Sequence, residues 1–125
     1  KELTSEFEKD NDDYNSIMSK IIADRLVEAF SEKMHEMIRK DLWAYSKNES
    51  LSINDMIKEK YHGIRPAPGY PACPNHQHKD YIWQMLEVEK NTGITLTETR
   101  SMFPAASLSG WYFSNPKSKY FMISN

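Results

Sequence analysis

The sequence is poor in cysteine, glycine and long apolar runs, and each shortage removes a class of function. Its single cysteine, Cys73, cannot form an internal disulfide, which excludes the cross-linked scaffold of small secreted domains. No apolar run approaches the roughly 20 residues of a membrane-spanning helix. The opening KELTSEFEKDNDDY carries no apolar stretch of the signal-peptide kind, so a cytoplasmic location is expected. Charge of neither sign prevails: 16 basic against 18 acidic residues give a net charge of −2. That balance offers no general attraction to nucleic acid or to an anionic membrane. Only four glycines are present, none in a GxxxxGK phosphate cradle, and there is no G-x-S-x-G nucleophile elbow. No catalytic residue is assigned. At 125 residues one domain with a modest core is expected.

What the chain does contain is helical pattern first. Ile17, Met18, Ile21, Ile22, Leu26, Val27, Phe30, Met34, Met37, Ile38 and Leu42 recur at three- and four-residue steps, uninterrupted by Pro or Gly. This predicts one helix over 12–43, capped by Asn11, Asp12 or Asp13. At 1.5 Å per residue it runs roughly 45 Å, long enough to bracket the domain or to lie against something outside the chain. The preceding residues 1–11 read as a flexible or boundary segment. LSINDMIKEKY predicts a short helix with Ser52 and Asp55 as a weak capping pair. A third helix is expected over about 78–91, closed by Gly93 in the left-handed conformation. ITLTETRSMF, ASLSGWYF and KYFMI then read as three antiparallel strands. The expected class is α+β: a long helix and shorter helices packed on a twisted antiparallel sheet. Three strands are thin cover for so long a helix, which predicts an incomplete fragment of a larger domain.

Between the helices stands YHGIRPAPGYPACPNHQHKD, where four of six prolines fall within nine residues. Each proline fixes φ and removes a donor, predicting a stiff, mostly extended ribbon with free carbonyls and a permissive point at Gly69. Arg65 at its head is a planar, permanently charged fork for a carboxylate or phosphate, and Tyr70 can stack on a planar group. The set suits a zwitterion attached to a heteroaromatic ring; the alternative is a structural connection with a surface arginine. Cys73, His76 and His78 have too few companions to close a zinc site, so no metal is expected. Cys73 reads as a small buried hydrophobe. Glu59 is placed to pair with Arg65. Asp24 and Glu28, four apart, share a helix face and are either a partner-facing pair or solvated side chains. Alternation puts Tyr120 and Phe121 on opposite faces of a strand.

Four blocks in order, DDYNSIMSKIIADRLVEAFSEKMHE, KYHGIRPAPGYPACPNHQ, LEVEKNTGITLTE and SLSGWYFSNPKSKYF, resemble the C-terminal activation domain of cobalamin-dependent methionine synthase over residues 12–123. The resemblance implies an S-adenosylmethionine site in which Arg65, Ala67, Gly69 and Tyr70 line the cofactor and Arg65 pairs with its carboxylate. It implies that Tyr120 and Phe121 complete the wall, that Glu59 lies close to the site, and that Asp24 and Glu28 lie near a cobalamin-domain interface. It further implies methyltransferase chemistry within a larger enzyme: a flavodoxin-type donor supplies one electron while S-adenosylmethionine gives its methyl to cob(II)alamin, regenerating methylcobalamin. Cobalamin would be held by another domain, since the D-x-H-x-x-G pattern is absent here. The family domain extends upstream of this chain, so independent turnover is not expected. Two other functions stay open: an interaction module docking on a cobalamin or flavodoxin-type partner, and a regulatory relative without the methylation role.

Overall fold

The computed structural model describes residues 2–121. The chain divides into two compact units, one of Lys1–Ser31 with Gln77–Leu108, the other of Glu32–His76 with Ser109–Asn125. Helix α2, Asp13–Met37, supplies residues to both. The predicted long helix is therefore present. It continues into a π-helical turn, Ile38–Leu42, where the N–H groups of Trp43 and Ala44 both donate to the Ile38 carbonyl at 3.0 Å. Ala44, at φ 60°, then turns the chain out of the helix, because its left-handed backbone cannot extend a right-handed one.

In the first unit, the opening acidic segment forms helix α1, Glu2–Lys9, where the sequence reads as uncommitted. Asp12 Oδ1 accepts from the Asn15 N–H at 3.0 Å, the cap expected of one of the three candidates. Lys20 of α2 donates to Glu8 of α1 at 2.9 Å. The α2 apolar row is largely open, with Ile17, Ile22, Leu26 and Phe30 all more than half exposed. The predicted third helix is divided in two, α4 His78–Leu86 and α5 Val88–Thr92, because Glu87 takes a left-handed φ of 45°. Ile82 of α4 and Val88 of α5 are buried. The Trp83 indole N–H donates to the Ile94 carbonyl at 3.0 Å, and Gly93 closes α5 at φ 72° as its sequence position predicts.

ITLTETRSMF is not one strand but a hairpin. Strands β1, Thr95–Leu96, and β2, Met102–Phe103, pair antiparallel with Leu96 opposite Met102. The turn is made where Arg100, at φ 62°, donates its N–H to Thr97 O at 2.8 Å. Its guanidinium is held by Asp80 at 2.9 and 3.0 Å. Polar Thr and Ser side chains bond one another across this turn, a local alternative to extended pairing.

In the second unit, α3 is Ile53–Ile57. Its start is the expected one: Ser52 Oγ accepts from the Asp55 N–H at 3.1 Å and donates to the Asp55 carboxylate at 2.7 Å. The stretch read as a second strand contributes a single antiparallel bridge, Phe113 with Ile64. The expected third strand is absent over Lys119–Phe121; the rest of KYFMI, residues 122 and 123, lies outside the described residues. The buried centre of this unit is polar and aromatic: His35, Arg39 and Tyr61. Arg39, 1% exposed, uses its Nε–Nη2 edge on Glu49, with Nη2 to Oε1 at 2.7 Å, and lies 4.5 Å over the Tyr61 ring. A guanidinium can be buried so because a carboxylate answers its charge and an aromatic face covers it.

Candidate functional site

The Pro-rich segment is extended only over its first residues. Ile64 and Phe113 exchange N–H···O bonds at 3.0 and 2.9 Å, and the Trp111 N–H donates to Pro66 O at 3.0 Å. Close approach makes this pairing possible: a Cβ on Gly63, at φ 85°, would lie 2.2 Å from Phe113 O, and one on Gly110 would meet Pro66 O at 3.0 Å. Beyond Pro66 the expected ribbon folds back on itself. Tyr70 N–H donates to Ala67 O at 3.2 Å across Pro68 and Gly69, and Cys73 N–H donates to Tyr70 O at 2.8 Å across Pro71 and Ala72. Gly69, at φ 100°, fills the turn position that requires positive φ, with Pro68 before it. The His76 imidazole lies where a Gly69 side chain would stand. Cys73 is half-buried, not the enclosed hydrophobe expected, because these turns hold it near the surface. Among the described residues no three His, Cys, Asp or Glu side chains gather as metal ligands would.

These turns form one side of a pocket of about 330 Å³ lined by Glu59, Arg65, Pro66, Ala67, Tyr70, Pro71, Ala72, Tyr120 and Phe121. The structure thus brings together Arg65, Ala67, Tyr70, Tyr120, Phe121 and Glu59 of the residues singled out in the sequence. Gly69 supplies the turn that carries Tyr70. Tyr120 and Phe121 are not split between two sheet faces; no strand forms there, and both line the pocket. The Tyr120 hydroxyl accepts from the Arg65 backbone N–H at 2.8 Å. Tyr70 and Phe121 are exposed, at 60% and 56%, leaving aromatic surface at the rim. Asp24 and Glu28 belong to the other unit; both are exposed on α2, and Glu28 pairs with Arg25 at 2.8 Å.

Arg65 is held differently from the sequence expectation. Its ion partner is Glu32, not Glu59: Nη1 donates to Oε2 at 3.0 Å and Nη2 donates to Oε1. Nη1 also reaches His35 Nδ1 at 3.1 Å and the Tyr61 hydroxyl at 3.3 Å. Glu59 stands at φ 52° on the pocket wall, with its side chain exposed. Burial lowers the pKa of Arg65, but Glu32 with the phenolic oxygens of Tyr61 and Tyr120 outweighs it and raises the value. Burial, then the charges of Arg39 and Arg65, lowers the pKa of His35 to about 3. His35 is therefore neutral, and Nδ1 accepts from Arg65. Nε2 then carries the proton and donates to the Tyr45 hydroxyl at 3.4 Å. Burial raises the pKa of Tyr61 and of Tyr112, so both stay phenols. Glu32, His35 and Tyr61 were missed in the sequence; the available signal was a histidine inside the apolar row of a helix, between Met34 and Met37.

This arrangement offers a fixed guanidinium fork, carbonyl-rich turns and aromatic faces around one small pocket. A fork for a carboxylate beside aromatic faces is a set of groups that can bind and orient a small zwitterionic ligand. Over residues 1–125 the chain matches the family described as the vitamin B12 dependent methionine synthase activation domain. It is also similar to a crystal structure of the MetH reactivation domain bound to AdoHcy, with 59% sequence identity and a TM-score of 0.92. That similarity covers 96% of this chain and 37% of the other, so this chain spans little more than a third of its relative's length.

Proposed function

The chain belongs to the vitamin B12 dependent methionine synthase activation-domain family, and on that premise we propose that the Arg65 pocket binds S-adenosylmethionine and its demethylated product. The observation that carries this is the convergence of Arg65, Tyr70, Tyr120 and Phe121 on one pocket, in a chain 59% identical to a domain described with AdoHcy bound. Arg65 takes the amino-acid carboxylate, Ala67 and Gly69 bring backbone close to the ligand, and the aromatic residues cover its planar part.

The reaction served is the reductive methylation of cobalamin within a cytoplasmic methyltransferase. Cobalamin would be held by another domain, and the chemistry it would supply is acceptance, as cob(II)alamin, of the methyl with one electron from a flavodoxin-type donor. The methyl of the sulfonium is already activated by positive charge, so this chain's residues need only bind the donor, orient it and keep it in place, a contribution through proximity. Asp24 and Glu28 serve the docking of the cobalamin domain, and Glu59 lies near the bound ligand. The 125 residues act as part of a larger activation domain and do not turn over alone.

Calorimetric titration of AdoHcy or S-adenosylmethionine into the chain tests the assignment. One-site binding is expected, with Arg65→Ala weakening it by about 100-fold, the order expected when a charge-assisted bidentate pair is lost. Binding that survives Arg65→Ala at full strength would place the ligand elsewhere.

A further inference from the structure

Arg65 already has a carboxylate partner, Glu32, and this raises the question of how one guanidinium serves two. Its donors answer it. Glu32 occupies the end of the fork, one proton each from Nη1 and Nη2. The second Nη1 proton points back along the side chain, towards His35 Nδ1 and the Tyr61 hydroxyl. A guanidinium has five N–H donors, so two are left: Nε–H and the outer proton of Nη2. They lie parallel within the guanidinium plane, along one edge, and have no partner among the described residues. This is the same edge that Arg39 gives to Glu49 in two-point contact.

We propose that Glu32 is a positioning residue that stays on the end of the Arg65 fork when ligand binds, leaving the Nε–Nη2 edge as the carboxylate-specific subsite; this rests on the cofactor assignment above. Glu32 and His35 lie three residues apart on α2, hence on one face, and grip the guanidinium from two directions. Rotation about its terminal bonds would break bonds to both. The plane is thereby set before ligand arrives, and the entropy of orienting it is not charged to binding. Two carboxylates on one guanidinium repel, but the Glu32 side chain is 47% exposed, so water screens it from the ligand. Orientation acts at bonding distance and is not screened. The gain from a fixed edge therefore exceeds the repulsion.

The test compares AdoHcy with S-adenosyl-3-thiopropylamine, which lacks only the carboxylate, on wild-type chain and Glu32→Ala. The variant is expected to bind AdoHcy about tenfold more weakly, as for one lost charge-assisted contact, and to bind the amine within about twofold of wild type. Equal or tighter AdoHcy binding by the variant overturns the proposal, because Glu32 would then be competing for the fork. Equal weakening of both ligands overturns it too, since Glu32 would only support the fold. Wild-type chain that binds neither ligand instead removes the cofactor assignment, and this subsite with it. Arginine side-chain nitrogen spectra of the wild type provide a readout that needs no variant. On adding AdoHcy the Arg65 Nε–H resonance should move while the Nη1 contact to His35 persists. Movement of the Nη1 protons with Nε–H unchanged would show the ligand displacing Glu32.

Discussion

Arg65 shows how much a single side chain depends on residues far from it in sequence. Its place at the head of RPAPGYP marks it as a recognition residue, yet its partner is Glu32, 33 residues away, and nothing in the spacing of charges distinguishes Glu32 from Glu59. Both are acidic and both belong to the unit that carries the pocket; only the path of the chain between them separates their roles. Gly63 is a similar case. It has no motif of its own, but its missing side chain lets Ile64 reach Phe113 and so places Arg65 beside Tyr120. With Phe113 O only 2.2 Å from the position of an added Cβ, and φ at 85°, Gly63→Ala should cost roughly 2–3 kcal/mol from strain and a broken bridge. Urea denaturation would measure it, and a midpoint equal to that of wild type would mean the backbone relaxes freely there.

Whole elements were legible where a local rule decides them. The 12–43 helix follows from periodicity alone and is present as α2 and its π-helical extension. The caps at Ser52 and Gly93 follow from residue chemistry. Elements failed to follow the sequence where tertiary or turn geometry prevails. One left-handed residue, Glu87, divides the third helix, and glutamate gives no warning of that conformation. Alternating Thr and aromatic residues do not reveal which strand pairs with which, so a hairpin read as one strand. The Pro-rich segment was read as extended because each proline disfavours helix; the two turns come from Pro68–Gly69 and Pro71–Ala72 acting as pairs. The Ser52 cap carries its own prediction. α3 has five residues, too few to persist without its ends, so Ser52→Ala should destabilise by about 1 kcal/mol. Hydrogen exchange at Asp55 should quicken accordingly, and unchanged exchange would assign the start of α3 to packing instead.

At the scale of the molecule the unusual property is what is buried. Among the described residues the buried apolar side chains are Tyr61, Pro66, Pro68, Ile82 and Val88, against the polar Ser16, His35, Arg39 and Lys79. In the second unit the buried His35 and Arg39 belong to a network of charge and hydrogen bonds, and such a network responds to pH. His35 is faced by Arg39 and Arg65, by the hydroxyl of Tyr45 and by the rings of Tyr61 and Tyr112, with Glu32 on the far side of Arg65. Its folded pKa, about 3, lies below the ordinary histidine value near 6.5. Between those limits the unfolded chain takes up a proton that the folded chain refuses, so acid favours unfolding. The stability lost to this one group should be about 2 kcal/mol between pH 7.5 and pH 5, and still more towards pH 3. His35→Gln keeps an acceptor for Arg65 but cannot be protonated, so urea unfolding of that variant should lose this part of the pH dependence while remaining folded at neutral pH. Identical slopes for variant and wild type above pH 5 would show that His35 takes its proton in the folded state, and that the two arginines beside it tolerate the charge.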